Sequence, residues 1–237
     1  KPGHPPFVSP KLFLMEREGI NQQPIELNPE IYILQILGIK TGVNELYALS
    51  QLGLISVNLT NGSSKALMEK ETGFTLDSPV FSSDFKKAYN VVDWNQIIEY
   101  DLVNKIRKLI YTPTPSTLVP IDKIQLWGLQ LSPNNNQLTF IQFSDIHPPN
   151  KEDWKERGHD LYLLNLEDKK LTLLLDKKTY PNLEPASWSP DGSYIFIDAS
   201  FGNHYVMDLA TQELMLFNKA NEPDTSDIRL LDWIVKE

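Results

Sequence analysis

A chain of 237 residues is long enough for one all-β domain with a full core. It carries 31 acidic against 22 basic residues, a net charge of −9, which argues against a nucleic-acid-binding surface. With no cysteine there is neither a disulfide framework nor a thiolate metal site, and no apolar run approaches the roughly 20 residues of a membrane helix.

Residues 1–10 (Lys1-Pro2-Gly3-His4-Pro5-Pro6 and onward) read as a flexible arm. The chain begins at Lys1, as expected of a processed mature chain or a cut piece. Residues 11–16 and 24–27 are short strands. Residues 31–37, 44–50, 54–59 and 65–69 form a four-strand group, with Asn61-Gly62 as a hairpin turn. A second group runs through 79–82, 88–93, 97–102 and 106–111, turning first at residues 83–86. Its Lys105-Ile106-Arg107-Lys108 run is a solvated strand face rather than a phosphate site. The third group is 126–132, 138–143, 160–166 and 171–175, with a polar insertion after Phe143. The fourth is Trp188-Ser189, a Pro190-Asp191-Gly192 turn, 194–197, 204–209 and 213–217. Residues 228–234 are a lone final strand.

The spacing supports a repeat. The third strand of each group ends in a polar residue that opens the next turn: Glu16, Asn58, Asp101, Asn165 and Asp208, at intervals of 42, 43, 64 and 43. The long interval contains the insertion. Four strands repeating near 43 residues is a propeller signature, and the short turns exclude a βαβ plan. The N-terminus supplies only a third and a fourth strand, and Trp233 falls 45 residues after Trp188. The expectation is a single β-propeller over residues 11–237, of five blades, its ring closed by N- and C-terminal strands in one blade. Trp127, Trp188 and Trp233 are expected in the core.

The stretch Pro185-Ala186-Ser187-Trp188-Ser189-Pro190-Asp191-Gly192-Ser193-Tyr194-Ile195-Phe196, followed by His204-Tyr205-Val206-Met207-Asp208, resembles the TolB-like, WD-repeat-like propeller repeat. Leu131-Ser132-Pro133-Asn134 and Phe81-Ser82-Ser83-Asp84 are weaker copies. The resemblance implies a bacterial protein-binding propeller, periplasmic or secreted. TolB-like proteins of six blades with an extra domain differ from this chain, so their particular partners do not carry over.

The turns joining first to second and third to fourth strands are uniformly tight, whereas the connections at the other end, 112–123, 145–159, 177–184 and 218–227, are long. Binding is expected on the long-connection face. Asp77 and Glu184 hold equivalent positions, five residues before Ser82 and Ser189, at the channel mouth. Asp93 and Asp145 end second strands on the same face, and Trp154 in the insertion is a candidate rim anchor. These carboxylates suit a cationic group on a protein or peptide partner, or acid and base work on a sugar in a glycosidase-type propeller. A fragment of a larger propeller protein is a third reading. His4, His147, His159 and His204 lack metal-ligand spacing, and no nucleophile elbow or phosphate loop occurs, so no metal, cofactor or catalytic residue is assigned. If residues 228–234 close the ring, deleting residues 226–237 abolishes cooperative unfolding; a truncated chain with an unchanged melting curve would contradict closure.

Overall fold

The computed structural model describes residues 12–14, 23–25, 31–40, 43–69, 79–117, 119–144, 158–176, 183–199 and 203–218. The chain divides into two compact units, Lys1–Thr72 and Gly73–Glu237.

In the first unit, β1 (Leu12–Leu14) pairs with β2 (Gln23–Ile25) as a two-stranded antiparallel sheet. A four-stranded antiparallel sheet follows: β3 (Ile33–Lys40), β4 (Glu45–Ser50), β5 (Gly53–Asn58) and β6 (Ser64–Glu69). Leu46, Ala48, Ile55 and Val57 form its core with Ile31. The continuous burial of β4 and β5 matches their mostly apolar sequences, Ser56 being buried with them, since a strand covered on both faces shows no polar alternation.

The second unit holds three sheets of the same kind. The first is β7 (Val80–Phe81), β8 (Lys87–Val92), β9 (Gln96–Asp101) and β10 (Ile106–Tyr111). The second is β11 (Ile124–Leu131), β12 (Gln137–Ser144), β13 (Gly158–Asn165) and β14 (Leu171–Leu175). The third is β15 (Leu183–Trp188), β16 (Tyr194–Ala199), β17 (Asn203–Asp208) and β18 (Leu214–Asn218). Each sheet runs in sequence order with antiparallel neighbours. β11 packs against β7 and β8, and β15 against β11, β12 and β13, so the first strands are the inner ones.

Alternation along β12 fills both interfaces. Leu138 and Phe140 face the first sheet with Tyr89, Val91 and Ile97. Ile141 faces the third sheet with Leu161, Trp188, Ile195 and Ile197. Each fully buried aliphatic or aromatic side chain here contributes about 1.5–3 kcal/mol. Trp188 lies in this core and Trp127 packs half-buried against it. The Arg107-Lys108 stretch of β10 is solvent-exposed, as expected of an outer strand. The N-terminal arm (1–10), the strand at 228–234 and Trp233 lie outside the described residues.

Two recurring turns fix these sheets. Between first and second strands, buried Ser82, Ser132 and Ser189 each donate their hydroxyl to the residue two ahead: Asp84 (2.8 Å), Asn134 (2.7 Å) and Asp191 (2.7 Å). The same hydroxyl accepts the N–H of the residue five ahead, at 2.9 Å in all three. The next position is left-handed each time: Phe85 (φ 55°), Asn135 (φ 61°) and Gly192 (φ 75°). Between third and fourth strands, Asn58, Asp101, Asn165 and Asp208 each accept two backbone N–H bonds through Oδ1. These are the residues that the 43-residue spacing picks out. A leucine follows each, and the N–H groups of Leu59, Leu102, Leu166 and Leu209 donate to the carbonyls of Asn44, Lys86, Asn136 and Ser193, tying the two turns together.

Two outcomes follow. A side chain at Gly192 has room, its Cβ meeting Pro133 Cδ at 3.8 Å, so the penalty is conformational. Gly192→Val should lose about 1 kcal/mol or more in urea unfolding, and Gly192→Asn less, because Asn135 already holds that conformation. Equal stability of the valine variant would contradict the strain. The second concerns Asp84, whose carboxyl is lowered from 3.8 to about 2, chiefly by the Ser82 hydroxyl and then by the Lys86 N–H. A folded value below the unfolded one gives stability that is complete above about pH 4 and is lost as pH falls toward 2. Asp84→Asn, placing the group that Asn134 supplies in the next sheet, should flatten the decline of the melting temperature across that window.

Candidate functional site

The two ends of the second unit differ. At one end every connection is a turn of the kinds just described. At the other lie 93–95, 112–123, 145–157, 176–182 and 200–202, and the long-connection face expected from the sequence is this end.

Asp93 is exposed at the tip of the β8–β9 hairpin. The connection is Asp93-Trp94-Asn95, closed by the Val92–Gln96 pair. Asp93 (φ 51°) and Trp94 (φ 65°) are consecutive left-handed residues, a conformation that hairpins ordinarily give to Asn or Gly. In that region a residue with a Cβ costs about 1–2 kcal/mol, and the side chain placed there is tryptophan, 53% exposed. The tip is nevertheless held. The Leu126 N–H on β11 donates to the Trp94 carbonyl at 2.6 Å, and Asn95 Nδ2 donates to the Ile121 carbonyl at 3.3 Å. β11 pairs only with β12 in its sheet, so the first of these bonds leaves its free, inner edge. Trp94 therefore sits beside the unpaired edge of β11, at the end of the second unit opposite the tight turns. Exposed Asp122 and Lys123, 4.0 Å apart, occupy the short 3-10 turn Ile121–Lys123 beside it. Among the described residues Asp93 makes no ion pair.

Glu184 lies in β15 with its backbone opposite Asp198. Asp77, Asp145 and Trp154 lie outside the described residues. Trp94 was missed by the sequence reading, which ended the strand at Asp93. Its signal is a bulky aromatic within a three-residue strand connection, where turn formers belong.

Two further clusters flank the insertion. Toward the first sheet, the Tyr111 hydroxyl donates to Gln142 Oε1 at 2.9 Å, and buried Asp160 stands opposite Gln142 across the β12–β13 pair. Burial first, then Tyr162 and Asp160, push the Tyr111 hydroxyl up; burial, then Asp160 and Asp176, do the same to Tyr162. Toward the third sheet, Trp127, Phe143 and His159 meet with ring centroids 4.9–5.4 Å apart. His159 belongs to β13, not to the insertion. His204 is buried on Phe196, its Nδ1 3.3 Å from Asp198 Oδ1. Among the described residues, no group of three or more His, Asp or Glu is placed to hold a metal, and no helix is long and apolar enough to cross a membrane.

No protein-family model matches the sequence, and no curated protein matches it. Solved structures do match. An oligogalacturonate lyase from Vibrio parahaemolyticus superposes with a TM-score of 0.63 at 14% identity, over 88% of this chain and 59% of that one. An oligogalacturonate lyase in complex with manganese gives 0.53 at 13% identity, over 88% and 72%. An auxiliary nutrient binding protein from Bacteroides thetaiotaomicron gives 0.51 at 11% identity, over 77% and 40%. This chain is all-β and β-propeller-like. At such identities the likeness is one of fold, and it extends to enzymes and binding proteins alike.

Proposed function

We propose that this chain is a non-catalytic binding module, a TolB-like propeller of five blades closed by its terminal strands, which holds a protein or peptide partner on the long-connection face. The observation that carries the reading is Trp94: an exposed aromatic on a strained but hydrogen-bonded tip, at the end where the connections are long. The opposite end is occupied by turns whose polar groups satisfy one another. The nutrient binding protein among the structural relatives agrees with a binding role. Asp77, Glu184, Asp93 and Asp145 would draw a basic partner to the mouth, with Trp154 at the rim. A periplasmic or secreted location belongs to the same reading and rests on the TolB-like repeat.

The second reading is an enzyme acting on a saccharide, favoured by the two oligogalacturonate lyases. This chain spans only 59% of the first of these, which also fits a piece of a larger propeller protein.

A photoreactive residue placed at Asn95 or at Asn136 separates the faces. The partner should cross-link from position 95 and not from 136, and binding should weaken with salt. Asp77→Ala combined with Glu184→Ala should weaken it further with little change in melting temperature, since solvated carboxylates add little to the fold. Cross-linking from the tight-turn end, or unaltered binding by the double variant, would refute the site. Turnover of aryl glycosides or oligogalacturonate would favour the enzyme.

A further inference from the structure

We propose that the Asp93–Trp94 tip is an arginine-recognition site, at which a partner's guanidinium stacks on the Trp94 indole and bonds the Asp93 carboxylate. This rests on the binding reading above and names the chemistry of the group bound.

Three observations converge. The indole is half-exposed on a backbone fixed by the hairpin pair and by Leu126, so a π face is offered without ordering a loop. The adjacent carboxylate is exposed and, among the described residues, makes no ion pair. Asp122 and Lys123, the other described charges at the tip, offset one another and not Asp93. Guanidinium fits this pair better than ammonium. It is planar, more weakly hydrated, and can stack on a ring while its edge forks onto a carboxylate. Ile121, exposed and tied to Asn95 through its carbonyl, gives the aliphatic stem an apolar neighbour. A neutral saccharide would use the ring but leave the carboxylate's charge unmatched. An anionic one would be repelled by it.

The test uses the full chain, 15N-labelled, and follows its five tryptophan indole N–H signals. The Trp94 signal is the one lost in Trp94→Leu. Titration with N-acetyl-arginine methylamide at low salt should move it saturably, with a dissociation constant on the order of tens of millimolar. The citrulline analogue, isosteric but uncharged, should bind at least about threefold more weakly, and the lysine analogue should also be weaker. Asp93→Asn should weaken arginine binding about threefold, and that variant is expected to fold, because asparagine accepts the left-handed conformation. Equal shifts with citrulline or lysine, or unchanged arginine binding by Asp93→Asn, overturn the proposal; these arms decide it even if Trp94→Leu fails to fold. If arginine leaves Trp94 unmoved while oligogalacturonate or maltohexaose shifts the amides of Asn95, Ile121 and Asp122, the binding face stands and the arginine site falls. If shifts from these probes gather on Ser83, Asn135 and Asp191, both fall.

Discussion

Backbone N–H groups at a tight reversal need acceptors, and this chain supplies them from Ser, Asp and Asn side chains at fixed places. Ser82, Ser132 and Ser189 are buried, so their hydroxyls face no competition from water, and each both donates and accepts within its turn. Asn58, Asp101, Asn165 and Asp208 close the last reversal of their sheets. A strand shifted by one residue would turn its buried side chains to the wrong interface. The turns therefore set register, and register decides that Phe140 and Ile141 fill different cores.

The same turns link neighbouring sheets in the second unit, by different means. Asn135 accepts the Ser83 N–H at 2.8 Å and donates to the Ser83 hydroxyl at 2.7 Å. One sheet later the position equivalent to Ser83 is Pro133, which has no N–H to give. Opposite it stands Gly192, which has no side chain to accept one. The hydrogen-bonded pair of the first seam is thus not repeated at the second, where neither residue can make it.

At the other end no such repeat constrains the chain, and the connections diverge in length and composition. The Leu126–Trp94 and Asn95–Ile121 bonds nevertheless fix one tip, while the indole stays half-exposed. A repeated scaffold acquires an individual surface in this way: the sheets are alike, and the connection tips differ. The structural relatives, lyases and a nutrient binding protein, share the scaffold at identities of 11–14%.

The four-strand groups and their 43-residue spacing were legible in the sequence because strand, turn and burial signals are local. An apolar run such as 194–197, a turn such as Ser189 to Gly192, and a terminal Asn or Asp each declare themselves within a few residues. The reason for the spacing residues was not legible. That Asp101 and Asp208 each accept two N–H groups shows only in the folded turn, and that the following leucines tie one turn to the other emerges only when residues such as Leu102 and Lys86 lie side by side. The candidate site was least legible of all. Asp93 could be placed on its face by counting strands, but Trp94 reads as one more aromatic beside a strand. Its exposure, its left-handed backbone and the bond it accepts from Leu126, thirty-two residues away, are seen only in the folded chain.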